Sequence, residues 1–150
     1  MNTRDLQCNL DNRLQLLRDI SLLSTKLQTL GNSHGCELSW KQSNLILLLH
    51  SCEFIPTLGE LSHQMGSSHQ NTKAMLQKLE EKGYVSLISD VNDRRRTLIY
   101  TTDLSHAFYL GYEEKYRAYL EKIFEDFEDG ELLKFSSFIE MMTKKVEENQ

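Results

Sequence analysis

The sequence predicts a mainly α-helical chain with one small antiparallel β hairpin, and three observations carry that expectation. Apolar residues recur at steps of three and four through residues 6–30 and again through 108–146. Between those stretches, two short apolar-faced segments meet at Gly66. Beyond them "YVSLIS" and "TLIYT" alternate apolar and polar residues on either side of a polar turn at 90–96. One proline and seven glycines in 150 residues permit long helices, and a chain of that length is most simply one domain with its own core.

The first helix is marked by Leu6, Leu10, Leu14, Leu17, Ile20, Leu23, Leu27 and Leu30. Leu16 and Leu22 widen the stripe, so this helix should pack against more than its own small lobe, or against a second chain. "GNSHG", residues 31–35, is expected to end it. Ser39 is the expected N-cap of a second helix over 38–52, whose Leu45–Leu49 run is too apolar for a surface. Pro56 marks a break. A short helix over 57–66 then turns Leu58, Leu61 and Met65 inward and stops at Gly66. A serine-capped helix over 67–83 presents Thr72, Met75, Leu76 and Leu79 to the core and stops at Gly83. After the hairpin, Phe108, Tyr112, Tyr116, Tyr119, Ile123 and Phe127 form an aromatic stripe. Past a break at Asp129-Gly130, Leu132, Phe135, Phe138 or Ile139, Met142 and Val146 form another. The whole reads as a winged helix-turn-helix over about 38–102, flanked by helices over about 4–31 and 103–148.

Charge is distributed unevenly about a net of -5. Residues 102–150 hold twelve acids against six bases, whereas 57–101 hold six bases against five acids. Positive charge is focused in two places: Lys73 and Lys78 in the acid-free stretch 66–79, and Arg94, Arg95 and Arg96 at the hairpin tip. Focused charge of this kind steers a polyanion even in an acidic protein.

On the second short helix, core-facing Met75, Leu76 and Leu79 leave Ser68, Gln70, Asn71 and Lys73 toward solvent in its N-terminal half. Gln and Asn make paired hydrogen bonds to the major-groove edge of adenine, and a recognition helix reads bases mainly from its N-terminal residues. Lys78 is expected at a phosphate. In the tip, Asp93 can pair with an arginine and hold it extended, a form suited to a narrow minor groove.

These residues carry a family resemblance. The E-L-x-x-x-x-G helix at Glu60–Gly66, the L-E-x-K-G-Y-V junction at 79–85 and the D-x-R wing followed by a β-branched strand resemble the DNA-binding lobe of the MarR family of bacterial transcription regulators. "LSWKQSNLILLL" resembles the family's L-T-x-x-Q segment, so motif detail covers about residues 38–102. The resemblance implies a homodimer joined by the terminal helices, bound to double-stranded DNA at a palindromic operator and acting as a repressor. It implies Arg95 as the minor-groove arginine with Asp93 as its orienting partner, and it leaves Arg94 and Arg96 for phosphates. One departure stands out: Thr101-Thr102-Asp103-Leu104-Ser105 replaces the family's L-T-x-x-G after the wing.

Many relatives respond to a small molecule, a metal or an oxidant. His34, Trp40, Tyr112 and Tyr116 are the candidates here for an aromatic effector pocket, and Cys8, Cys36 and Cys52 for redox sensing. No metal or other cofactor is expected, because the five histidines show no ligand spacing. No catalytic residue is expected either, because the chain has no glycine-rich phosphate loop and no GxSxG. A charged N-terminus and the lack of a long apolar run suggest a cytoplasmic protein without a membrane partner. The competing reading is a winged-helix module that binds protein and not DNA.

Overall fold

The computed structural model describes residues 3–33, 37–91, 93 and 96–149, with backbone alone for 3–10, 33, 113, 115, 118 and 119. The elements run α1 (Thr3–Ser33), α2 (Trp40–Ser51), α3 (Leu58–Gln64), α4 (His69–Glu81), β1 (Val85–Ser89), β2 (Thr97–Thr101), α5 (Asp103–Phe124) and α6 (Asp129–Glu147). The chain divides into two compact units, residues 1–109 and 110–150, with α5 running from one into the other.

The first unit is built on a core of Leu38, Leu45, Ile46, Leu49, Leu61, Leu76, Leu79, Tyr84, Val85 and Ile99. Helices α2, α3 and α4 contribute Leu45, Ile46, Leu49, Leu61, Leu76 and Leu79 to it, and local caps set where these three helices begin. Ser39 Oγ accepts the Gln42 N–H at 3.3 Å, while Gln42 Oε1 accepts the Ser39 N–H at 3.1 Å. Thr57 and Glu60 form the same reciprocal pair ahead of α3. Each box satisfies two N–H groups that a helix start would otherwise leave open. Gly66 and Gly83 adopt φ +54° and +81° as the chain leaves α3 and α4, a backbone region that side chains with a Cβ rarely enter. Both stops agree with the sequence expectation.

Strands β1 and β2 pair antiparallel from Val85↔Thr101 to Ser89↔Thr97. Two features hold this hairpin to the helices. Thr57 forms a single antiparallel bridge with Leu98, adding a third short rung beside β2. The Glu80 carboxylate accepts the Leu87 N–H at 2.8 Å. Past the wing, Thr102 caps the entry to α5. Its Oγ1 accepts the Ser105 N–H at 3.2 Å and donates toward the Gly83 carbonyl at 2.7 Å.

Helix α1 ends at Ser33, within the stretch 31–35 expected to end it. Gly31 is buried, and a Cβ there would run into Cε3, Cδ2 and Cζ3 of Trp40, so the glycine permits close packing in the last turn of the helix. Asn32 reinforces the contact by accepting the Trp40 N–H on Oδ1 at 2.8 Å. Two boundary expectations are corrected, and the first is that Asp129-Gly130 is not a break but the first turn of α6. Glu131 Oε2 accepts the Glu128 N–H at 3.1 Å, and acids at Asp129 and Glu131 suit the positive end of the helix. Phe127 lies beyond α5, edge-on to Phe124 with ring centroids 6.2 Å apart, and so does not extend the α5 stripe.

Candidate nucleic-acid interface

The candidate surface begins at the turn between α3 and α4. Gly66 N–H donates to His63 O and Ser67 N–H to Ser62 O, both at 3.0 Å, which closes the turn without a long loop. Leu61, Ser62, Thr72, Leu76 and Leu79 are buried, fixing which way α4 faces. Ser68, Gln70, Asn71, Lys73 and Lys78 are all exposed, and the first turn of α4 holds no acid. Ser68 also has a structural duty: its Oγ accepts the Asn71 N–H at 3.3 Å. A hydroxyl that accepts in this way keeps its proton to donate elsewhere.

In the wing tip, Asp90 N–H donates to Arg96 O at 3.0 Å and Arg96 N–H to Asp93 O at 2.9 Å, so the turn is closed from both sides. Asp93 and Arg96 are exposed. Arg94 and Arg95 lie outside the described residues, and so does the pairing expected between Arg95 and Asp93. Arg96 has company that the sequence reading did not anticipate. The Glu60 carboxyl is held below its ordinary pKa, chiefly by the Thr57 hydroxyl, then by the Thr57 N–H, with the Arg96 charge assisting. Both Thr57 groups donate to Glu60 Oε2 at 2.7 Å. The Thr-x-x-Glu spacing of a capping box was the readable signal for that pair.

The effector candidates fall in different units. Trp40 is half-buried against Gly31. Tyr112 and Tyr116 stack on one another in the second unit, with centroids 3.9 Å apart and planes 15° from parallel. His34 lies outside the described residues, as do Cys36 and the Cys8 side chain. Cys52 is half-buried and its thiol faces the Leu48 carbonyl at 3.3 Å.

A second polar cluster escaped the sequence reading. His50 Nε2 lies 3.0 Å from Ser105 Oγ, tying the end of α2 to the start of α5. The ring stacks on Tyr109 at 4.8 Å, with the His106 ring at 5.7 Å. Burial, then the neighbouring His106 charge, hold the His50 pKa below its ordinary value against an opposing pull from Ser105. His50 and Ser105 are far apart in sequence, and no motif links them.

No family model matches the chain, and no curated protein matches it. Solved structures do. A MarR protein from Peptoclostridium difficile is 26% identical, with 89% of this chain and 88% of that one covered and a TM-score of 0.79. The PcaV transcriptional regulator from Streptomyces coelicolor, solved with its natural ligand, is 16% identical, with coverage of 86% and 89% and a TM-score of 0.71. FabT from Streptococcus pneumoniae, solved with DNA, is 17% identical, with coverage of 96% and 99% and a TM-score of 0.63. The fold of this chain is therefore the MarR-type winged helix.

Proposed function

We propose that this chain, with the fold of the MarR regulators, is a sequence-specific DNA-binding transcription regulator that acts as a homodimer. The observation that carries the reading is the exposed N-terminal half of α4. It presents Gln70, Asn71 and Lys73 without an acid, while Thr72, Leu76 and Leu79 anchor the opposite face. In this reading α4 enters the major groove with Ser68, Gln70, Asn71 and Lys73 on the groove face, where Gln70 and Asn71 read base edges, and Lys78 meets a phosphate. The wing carries Arg95 into the minor groove with Asp93 orienting it, and Arg94 and Arg96 stay near phosphates.

A dimer with two such surfaces matches a palindromic operator, and bound near a promoter it represses. A small molecule or oxidant that biases the lobes would release it. Selection of bound sequences from random duplexes, followed by mobility shifts at several salt concentrations, tests the reading. Saturable binding to an inverted repeat is expected. Binding that is equally weak on every sequence at every salt would leave a winged-helix protein-interaction module as the better reading.

A further inference from the structure

Three polar side chains of the first unit form a chain of hydrogen bonds from the end of α2 to the end of α4. His50, in the last turn of α2, brings Nε2 to 3.0 Å from Oγ of the fully buried Ser105. Ser105 N–H donates to Thr102 Oγ1 at 3.2 Å. That hydroxyl in turn faces the Gly83 and Tyr84 carbonyls as a donor, at 2.7 and 3.1 Å. Gly83 is where the chain leaves α4 at φ +81°, and Tyr84 leads straight into β1. One imidazole is thereby connected to the junction between the helix and the wing. Its surroundings disfavour a charge. Tyr109 stacks on the ring at 4.8 Å and His106 lies at 5.7 Å, both from α5, while Ile46 and Leu47 precede it by one turn of α2. The Tyr109 face favours a cation, but burial and His106 oppose one and prevail. Among the described residues no carboxylate, lysine or arginine of α1, α2 or β2 joins these influences.

We propose that His50 is a proton-operated latch on DNA binding, an assignment that rests on the DNA-binding reading above. Neutral, it holds the start of α5 and, through Ser105 and Thr102, the α4–β1 junction in the arrangement that fits a duplex. Protonated, it releases them. The chemistry follows from the ring. A neutral imidazole can accept the Ser105 O–H on Nε2, whereas a charged one carries hydrogen on both nitrogens and can only donate. The Ser105 hydroxyl is out of reach of water, so losing that acceptor forces it to turn, and the cap that Ser105 shares with Thr102 is disturbed with it. A charge on His50 also repels the His106 ring across the same gap. Acid therefore weakens DNA binding by a route that touches none of the side chains assigned to bases or phosphates. Because coupling is reciprocal, bound duplex must also make His50 harder to protonate.

Duplex binding is measured by fluorescence anisotropy across pH at constant ionic strength, for the unmodified protein, His50→Gln and Ser105→Ala. His63 and His69, exposed on α3 and α4, are common to all three, so what acid does through them cancels in the comparison. From about pH 7.5 to about pH 5.5 the unmodified protein should lose about fivefold more affinity than His50→Gln. Ser105→Ala should follow His50→Gln, because its ring still titrates but has no hydroxyl to release. Identical pH profiles for the unmodified protein and His50→Gln overturn the latch, as does a Ser105→Ala profile that keeps the full acid loss. A second measurement needs no variant. The His50 imidazole, followed by NMR in the unmodified protein, should take up its proton at lower pH with duplex bound than without. A titration that duplex leaves in place overturns the latch even if Ser105→Ala fails to fold. If no form binds duplex at any pH, the DNA reading falls, and the Gly83 and Tyr84 amide resonances decide the latch. Their movement with the His50 titration supports it, and their stillness overturns it.

Discussion

Gly31 and Gly130 both lie in helices, yet alanine should act on them with opposite sign. A Cβ at Gly31 meets the six-membered ring of Trp40, whereas nothing lies within 4 Å of one at Gly130. Alanine gains up to about 1 kcal/mol in helix propensity over glycine, while forcing an atom into a packed contact costs about 1–3 kcal/mol. Overpacking should win at Gly31, so Gly31→Ala should lower the urea midpoint and Gly130→Ala should leave it unchanged or raise it. A higher midpoint for Gly31→Ala would show that α1 and α2 do not meet there. His50 supplies a second test at this scale. Its native pKa lies below the ordinary imidazole value of about 6.5, so the unfolded chain binds the proton more readily. Stability contributed by this group is therefore present above about pH 6.5 and is lost as pH falls through that value toward the lowered native one. His50→Gln keeps a donor for Ser105 and cannot titrate. Its thermal midpoint should decline less than that of the unmodified protein between neutral and mildly acid pH, and parallel curves would remove His50 from the account.

At the scale of elements, α4 and the wing should fail in different ways when damaged. Asn71→Ala should cost about 1–3 kcal/mol of discrimination if a paired base contact is lost, with little effect on random duplex. Arg95→Ala should weaken binding to selected and random duplexes alike and flatten the salt dependence, because it removes a cation from the phosphate field. Titrations of both variants on the two duplexes at several salt concentrations decide the assignment. Equal losses for Asn71→Ala on selected and random duplex would place Asn71 on the backbone, and an unchanged isotherm for Arg95→Ala would take Arg95 out of the groove. The elements that set up this contrast were legible because their signals are local. Ser39 with Gln42, Gly66, Ser68 and Gly83 each act within a few residues, and the stripe of α4 repeats within one helix. What joins the elements was not legible. The Thr57–Leu98 bridge and the His50–Ser105 bond unite distant stretches without a motif. The packing role of Gly31 was not legible either, because a glycine near a helix end and one that admits a neighbour look alike until the neighbour, Trp40, is in place.

At the scale of the whole molecule, the terminal helices carry exposed apolar residues that the proposed homodimer would cover. Helix α6 buries none of its residues, and Leu133, Phe135, Phe138 and Val146 are each more than half exposed. On α1, Leu14, Leu16, Leu17, Leu22 and Leu23 are exposed to a similar degree. Scattered surface leucines need no explanation, but repeated large apolar residues along whole helices mark an interaction surface. A stable dimer buries roughly 800 Å² per partner, and a phenylalanine alone supplies about 150–250 Å². A handful of these side chains therefore suffices. The protein should sediment at twice its chain mass at micromolar concentration, and Phe138→Glu should shift it toward the single-chain mass by placing a charge in the apolar contact. The lobe core from Leu38 to Ile99 contains no α6 residue, so α3 and α4 should keep their fold in that variant. Operator affinity should then fall steeply, because two half-sites are no longer held by one particle, while weak binding to a single half-site persists. A monomeric unmodified protein, or a Phe138→Glu variant that remains dimeric and binds as before, would move the partner surface off α6.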